Sequence, residues 1–185
     1  MTRNHVVIYS IVGLAFAAIG AYIGVNSKGA DPVVTTPEPV AAPHTPSGAL
    51  FAQSMNDASG ANQSLARWQG KPLVVNFWAP WCAPCVQEMP ELNQVALENA
   101  SKGINVIGIG IDSPANIAEF ATKFKIGYPL YVAGMSGTDL GRQFGNTNGG
   151  LPYTVLIGAD GQVIKTYLGK LKFDELKADL AKLKS

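Results

Sequence analysis

The apolar residues in the middle of the chain follow two patterns that come in turn. Residues 72–78 and 104–111 form short continuous apolar runs, rich in β-branched and aromatic side chains, and predict buried strands. After each run, residues 83–99 and 114–124 carry apolar side chains at helical spacing, and each predicts a helix. This strand–helix–strand–helix order is typical of a parallel sheet covered by helices.

The last third of the chain predicts antiparallel structure. Two apolar runs, residues 153–157 and 162–167, are separated by Asp160-Gly161, which is a strong hairpin signal. A final helix is predicted over residues 173–182, where apolar side chains again recur on one face. Ahead of the first buried strand, residues 49–55 predict a short edge strand. The whole pattern predicts an α/β fold with a mixed sheet.

The N-terminal end has a different composition. Residues 6–25 carry no charge and are long enough to cross a bilayer, and Arg3 precedes them. The positive-inside rule then puts the N-terminus in the cytoplasm and the rest of the chain outside. Length favours a retained anchor, whereas the small residues at 15–17 also allow cleavage as a signal peptide. We therefore predict a membrane anchor or uncleaved signal over residues 1–26, followed by an exported domain.

The next segment predicts a linker. Residues 27–47 hold five of the twelve prolines and no hydrophobic period, so they cannot bury enough apolar surface to fold. The folded domain is predicted at residues 48–185. With 47% hydrophobic residues, the 185-residue chain has room for one domain and an extension. A net charge of +1, from 14 basic and 13 acidic residues, gives no sign of nucleic-acid binding.

The chain has only two cysteines, and both lie where the first predicted strand meets its helix. Cys82 falls at the helix N-terminus, where free N–H groups and the helix dipole favour an anion and so lower the pKa of a thiol. Cys85 lies one turn further on and is close enough to form a short disulfide ring that releases a bound partner. We predict Cys82 as the nucleophile and Cys85 as the resolving thiol, with their disulfide as the redox group and no other cofactor.

Two structural explanations of the cysteine pair are weaker. A disulfide across so small a loop removes little chain entropy and stabilises poorly. A structural zinc site usually takes four side-chain ligands, but the chain offers only two cysteines and two histidines. Both histidines, His5 and His44, precede the predicted domain. We predict no metal site.

The combined motif resembles a known family. Residues 76–85 (Asn-Phe-Trp-Ala-Pro-Trp-Cys-Ala-Pro-Cys) are followed by Glu88 and Pro90, and later by residues 150–154 (Gly-Leu-Pro-Tyr-Thr). This pattern is similar to the membrane-anchored bacterial branch of the thioredoxin superfamily: the thiol–disulfide oxidoreductases related to TlpA, ResA and the cytochrome c maturation reductases of the CcmG/DsbE type. The resemblance implies a thioredoxin fold, a central mixed sheet flanked by helices, after an N-terminal transmembrane helix.

The resemblance also implies roles for residues around the cysteines. Pro152 matches the proline that is cis beside the disulfide in this superfamily, and the backbone of Leu151 would pair with a substrate strand. Trp81 would present an apolar contact to partners, and Pro84 completes the dipeptide between the cysteines. Trp68, Tyr128 and Tyr131 are outside the motif, and we predict that they pack.

Two further positions concern proton transfer. Glu88 lies three residues after Cys85, on the same helical face, and is a candidate acceptor for the Cys85 proton. A favourable charge early in a helix explains Glu88 equally well, and the resemblance tilts the choice towards catalysis. Asn76 stands where thioredoxin has a buried aspartate, and an amide cannot take a proton. Glu88 is then the remaining candidate acid.

For function, the resemblance implies a reductant of exported protein disulfides, apocytochrome c among them, in cytochrome c biogenesis. Electrons would come from a membrane thiol transporter of the DsbD/CcdA type, and the domain would lie in the periplasm, anchored through residues 6–25 or soluble if they are cleaved. A thiol oxidant is the alternative, although Ala83-Pro84 is closer to the Gly-Pro of reducing thioredoxins. Residues 75–82 lack the Pro-x-x-x-Thr-x-x-Cys pattern of a peroxiredoxin-like peroxidase. A copper-binding module is a further alternative. The two thiols would then be soft metal ligands, and the domain has no histidine to add to them.

Overall fold

The computed structural model describes residues 45–183. The predicted membrane span, at residues 6–25, and most of the predicted linker lie outside the described residues. Five α-helices are present in the described part: α1 (Pro46–Phe51), α2 (Ala83–Ala100), α3 (Pro114–Phe124), α4 (Ser136–Gln143) and α5 (Phe173–Leu180). A short 3₁₀ helix covers Leu65–Trp68. Seven strands accompany them: β1 (Ser54–Asp57), β2 (Asn62–Ser64), β3 (Leu73–Trp78), β4 (Asn105–Gly110), β5 (Leu130–Val132), β6 (Tyr153–Ile157) and β7 (Val163–Leu168).

All seven strands form one sheet in the order β2-β1-β5-β4-β3-β6-β7. Strands β3, β4 and β5 run parallel, while β6 is antiparallel to β3 and pairs with β7 in a hairpin. On the other side, β1 pairs antiparallel with β5 and β2. The parallel half, the hairpin and the mixed sheet are therefore confirmed. The strand before the cysteines lies centrally, and all six of its residues are buried.

The start of the domain differs from the sequence-based expectation. Helix α1 occupies the first part of the segment that predicted an edge strand, and β1 begins only at Ser54 and is flanked by strands on both sides. Thr45 caps this helix by accepting a hydrogen bond from the Gly48 backbone N–H at 3.1 Å, and Pro46 occupies its first position. Leu50 and Phe51 are buried. A short run of this kind is compatible with helix or strand, and the cap and tertiary burial decide between them.

Two apolar cores lie on opposite faces of the sheet, because successive side chains of a strand point to opposite sides. Val74 and Trp78 of β3 belong to the core that includes residues of α2, α3 and α5. Val75 and Phe77 belong to the core that includes residues of α1 and α4. The cysteines are in the first of these cores. The face of the sheet that packs against this first core is called the α2 face below.

The N-terminal helix is attached at the end of the sheet that lies away from the cysteines. The Ser47 hydroxyl donates to the Gly161 carbonyl oxygen at 2.6 Å, in the turn that joins β6 to β7. Cys82 follows the opposite end of β3, level with the start of β6. Within residues 45–183, none of the helices has the length and apolar character needed to cross a membrane.

Candidate active site

Cys82 and Cys85 form a disulfide, with an S–S distance of 2.06 Å, at the junction of β3 and α2. Cys82 is the N-cap of the helix: its backbone is extended, and its sulfur accepts a hydrogen bond from the Cys85 backbone N–H at 3.3 Å. Pro84 lies in the first turn, where a helix does not require an N–H donor. The predicted placement of the cysteines at a strand–helix junction is confirmed. In the reduced protein, the same N–H group and the helix dipole favour a Cys82 thiolate.

The two sulfur-bearing residues differ in access to solvent. Cys82 is 6% exposed, whereas Cys85 is 0% exposed. Trp81, next to them, is 68% exposed and lines a cleft of about 790 Å³ together with residues such as Asp112 and Met135. A sulfur atom of a substrate therefore contacts Cys82 before Cys85, next to the solvent-exposed indole of Trp81. This asymmetry supports the predicted roles of the two cysteines.

The Leu151-Pro152 peptide bond is cis. Pro152 directly precedes β6, whose first residue pairs with Phe77 near the end of β3, so this peptide lies at the same end of the sheet as Cys82. Leu151 is half-buried and packs against both cores. The cis proline that the resemblance implied is thus present, and the use of Leu151 by a substrate stays a prediction.

Asn146 holds the loop before the cis peptide and was not singled out by the sequence. Its side-chain amide donates to the Gly150 carbonyl oxygen at 2.9 Å and its Oδ1 accepts from the Gly150 N–H at 3.0 Å. The Asn146 side chain is buried, so these two hydrogen bonds restrain the loop. The Gly-Asn-Thr-Asn-Gly-Gly composition indicated a loop, and nothing in it distinguished one asparagine from the other.

Glu88 lies inside the protein, on the α2 face, and is fully buried. Its Oε1 accepts from the Asn76 side-chain amide at 2.9 Å, and its Oε2 accepts from the Leu171 backbone N–H at 2.8 Å. The second hydrogen of the Asn76 amide is donated to the Thr154 hydroxyl at 3.0 Å. The sequence predicted a role for Asn76 and Glu88, and the structure joins them directly. Thr154 and Leu171 were missed as members of this network.

The environment of Glu88 changes its proton affinity. Burial raises the pKa of the Glu88 carboxyl, because a charge loses solvation inside the protein. The hydrogen bonds from Leu171 and Asn76, and the charge of nearby Lys170, oppose this effect in part. A carboxyl whose pKa is moved upward towards neutrality is suited to take up and return a proton.

The described part of the chain offers no evident place for a metal ion. Within residues 45–183, no group of three or more His, Cys, Asp or Glu side chains is arranged to hold one. The expectation that no cofactor is needed besides the cysteine pair stays a prediction.

Comparison with known proteins agrees with the fold. The family model described as Redoxin matches residues 41–180. The thiol-disulfide oxidoreductase ResA of Geobacillus thermodenitrificans is 29% identical over 133 residues, which are 70% of this chain and 73% of the relative.

Two solved structures are similar over most of their length. A secreted Mycobacterium tuberculosis disulfide oxidoreductase, described as homologous to E. coli DsbE, has a TM-score of 0.61 and 26% identity, covering 73% of this chain and 98% of that one. The structure of MTB DsbF in its mixed oxidised and reduced forms has a TM-score of 0.61 and 27% identity, covering 72% and 96%. The protein thus has a thioredoxin-like fold, and it belongs to the redoxin family.

Proposed function

We propose that this thiol–disulfide oxidoreductase is a reductant of disulfides in exported proteins. The observation that carries the proposal is the asymmetric disulfide, in which Cys82 keeps a small exposed area, 6%, and Cys85 is fully buried. A first cysteine that is partly accessible and a second that is enclosed allow a mixed disulfide to form on Cys82 and to be resolved by Cys85.

In the first step, the Cys82 thiolate attacks one sulfur of the substrate disulfide. A bond forms between Cys82 Sγ and that sulfur, the substrate S–S bond breaks, and the departing substrate sulfur takes up a proton. The Cys85 N–H group and the helix N-terminus favour the attacking thiolate.

In the second step, the Cys85 thiol gives its proton to the Glu88 carboxylate, and the Cys85 thiolate attacks Cys82 Sγ. The bond between Cys82 and the substrate breaks, the second substrate sulfur leaves and is protonated, and the Cys82–Cys85 disulfide remains. Two electrons have moved from the cysteine pair to the substrate. Glu88 follows Cys85 by one helical turn, and its buried carboxyl has a raised pKa, which supports this role.

Ala83-Pro84 favours reduction, whereas the helix N-terminus and the buried Glu88 carboxylate act on the thiol pKa in opposite senses. A low thiol pKa stabilises the reduced form of a cysteine pair and makes it an oxidant. The buried Glu88 carboxylate acts in the opposite sense, because a negative charge nearby disfavours a thiolate. Equilibration with glutathione measures the outcome. A potential on the order of −120 mV would support the alternative function of a thiol oxidant.

The location and the partners are also part of the proposal. Residues 6–25 would anchor the chain in the inner membrane, with the domain in the periplasm, or the domain would be soluble there if they are cleaved. Helix α1 is attached at the β6–β7 turn, at the end of the domain that lies away from Cys82. A membrane thiol transporter of the DsbD/CcdA type would return electrons, and apocytochrome c is a candidate substrate.

The test is to trap substrates in the native host. In a Cys85→Ser variant the second step is blocked, so mixed disulfides on Cys82 should accumulate and identify the partners. A Cys82→Ser variant is the matched control, because its remaining sulfur is buried and should trap none. Failure of Cys85→Ser to trap any protein, together with a Cys82 thiol that is unreactive to alkylation at pH 7, would overturn the proposal.

A further inference from the structure

Glu88 has unused hydrogen-bonding capacity inside the protein. An ionised carboxylate accepts about four hydrogen bonds, and Glu88 receives two, from Asn76 and Leu171. Buried carboxylates with open positions are commonly satisfied by internal water or by a further donor.

Three buried polar side-chain atoms have no hydrogen-bond partner among residues 45–183: Asn76 Oδ1, Trp78 Nε1 and Tyr128 OH. Asn76 and Trp78 are two positions apart on β3, so both side chains point to the α2 face, where Glu88 lies. Tyr128 belongs to the same core as Trp78 and Cys85. All three atoms are therefore on the side of the sheet that holds the carboxylate.

Gly108 lies next to both Asn76 and Trp78. It pairs with Asn76 in the parallel register of β3 and β4, and a Cβ placed on it would be 3.0 Å from Trp78 Nε1. The indole nitrogen thus lies over Gly108, directly beside the Asn76 position. The Gly108 N–H donates to the Pro129 carbonyl oxygen at 2.9 Å, which positions the segment that contains Tyr128 against the same part of β4.

Burial and the negative charge of Glu88 act on the Tyr128 hydroxyl in the same sense. Burial strongly raises the pKa of the Tyr128 hydroxyl, and the Glu88 carboxylate raises it further. Tyr128 is therefore a neutral phenol that keeps its O–H donor at all physiological pH values. Tyr131, three residues later, is also buried but accepts a hydrogen bond from Trp68 Nε1 at 2.9 Å and belongs to the core on the other face.

We propose that Tyr128 is a positioning residue for Glu88, and that its hydroxyl donates to an internal water bound beside the carboxylate. Trp78 Nε1 is the second donor to this water, and Asn76 Oδ1 and Glu88 are its two acceptors. These two donors and two acceptors match the four hydrogen bonds that one water molecule makes. The inference rests on the proposed function, since it adds the group that tunes the proton acceptor of Cys85.

Four other residues lie near Glu88 or act on its charge. Asn76 and the Leu171 N–H contact its oxygens, Cys85 precedes it on α2, and Lys170 acts through its charge. Lys170 is exposed and its amino group donates to Gln87 Oε1 at 3.2 Å. The loss of the Tyr128 hydroxyl should therefore weaken the stabilisation of the carboxylate without direct replacement.

The experiment compares Tyr128→Phe with Tyr131→Phe in the full-length, oxidised protein. The Glu88 carboxyl is titrated by carbon-13 NMR, with its signal assigned by its loss in Glu88→Gln. Tyr128→Phe should raise the pKa of Glu88 by about one unit, the value of one hydrogen bond to a charged group. Tyr131→Phe removes a buried hydroxyl on the opposite face and should leave this titration unchanged. Equal Glu88 titrations in Tyr128→Phe and the wild type would overturn the proposal.

If Tyr128→Phe does not fold, a crystal structure of the wild-type protein decides. An ordered water within about 3.2 Å of both Tyr128 Oη and a Glu88 oxygen supports the proposal, and its absence overturns it. Trapping on Cys82 in Cys85→Ser does not involve Tyr128. A negative result for Tyr128 alone is thus distinguishable from failure of the proposed redox function.

Discussion

The side-chain amide of Asn76 donates to Glu88 Oε1 at 2.9 Å, and this hydrogen bond connects the strand before the cysteines to the helix after them. The same amide nitrogen donates to Thr154, which is two residues after Pro152 of the cis peptide and lies on the neighbouring strand. One uncharged side chain thus orients the buried carboxylate and links it to β6. An aspartate in that position would accept hydrogen bonds instead of donating them.

Replacing Glu88 with glutamine should slow the resolving step. If Glu88 accepts the Cys85 proton as proposed, its loss should lower the rate at which Cys85 releases a mixed disulfide by about 10²- to 10³-fold. The first attack by Cys82 should change much less. Single-turnover kinetics with a preformed mixed disulfide separates the two steps.

The matched control for that variant is Glu91→Gln, which removes an exposed carboxylate from the same helix. It should react at the wild-type rate. Equal resolving rates in Glu88→Gln and the wild type across pH 5–9 would show that Glu88 is not the acceptor.

An Asn76→Asp variant should lose stability as the pH rises. It places a second buried carboxyl next to Glu88, and one of the pair then keeps its proton to a pH well above the usual range. The folded state therefore binds more protons than the unfolded state, and the free energy of unfolding falls with increasing pH. We expect near wild-type stability at pH 4 and a deficit of about 3 kcal/mol at pH 8, for a shift of about two pKa units. Urea unfolding of the oxidised protein measures the free energy of unfolding at pH 4 and at pH 8. Asn62→Asp, a change at an exposed position, is the control.

Trp81→Ala should impair protein substrates selectively. The indole is 68% exposed beside Cys82, so its loss should leave the free energy of unfolding within about 0.5 kcal/mol of the wild type. For a protein disulfide we expect kcat/KM to fall about tenfold, which is about 1.4 kcal/mol of lost contact. A small aromatic disulfide should react as before. Leu97→Ala, which removes a 64% exposed side chain from α2, the helix that follows Trp81, should affect neither substrate.

Asp179→Asn should make the free energy of unfolding depend less steeply on pH below about pH 4. The side chain of Asp179 is 12% exposed, and Lys165, Lys182 and Tyr167 donate to it at 2.7, 2.7 and 2.9 Å. These contacts hold the pKa of the Asp179 carboxyl well below its ordinary value of 3.8. Because the folded pKa is the lower one, the stabilisation is present above about pH 4 and is lost as the pH falls below it.

Urea unfolding between pH 2 and 7 checks this prediction. The wild type should lose stability more steeply than Asp179→Asn below pH 4, and the variant should be the less stable protein at pH 7. Asp174→Asn, an exposed change in the first turn of the same helix, is the control and should keep the steep acid loss. Parallel curves for Asp179→Asn and the wild type would contradict the assignment.

The sequence by itself determined the central strand, the helix after it and the position of the cysteines between them. These are local features: the apolar run of β3, the helical spacing of α2 and the capping position of Cys82 involve residues close in the chain. The Asp160-Gly161 turn is local in the same way and predicted the β6–β7 hairpin. The motif around Pro152 indicated the cis peptide through its family resemblance.

Only the tertiary structure decided the surroundings of Glu88. The Leu171 N–H that binds it is 83 residues away in the chain, and the Thr154 hydroxyl that binds Asn76 is 78 residues away. Such pairs depend on the register of β6 against β3 and on the path of the chain into α5, which no short segment encodes. Tyr128 and Tyr131 illustrate the same limit: three residues apart in one short segment, they belong to cores on opposite faces of the sheet. Burial on one face or the other, and not residue type, gives each its partners.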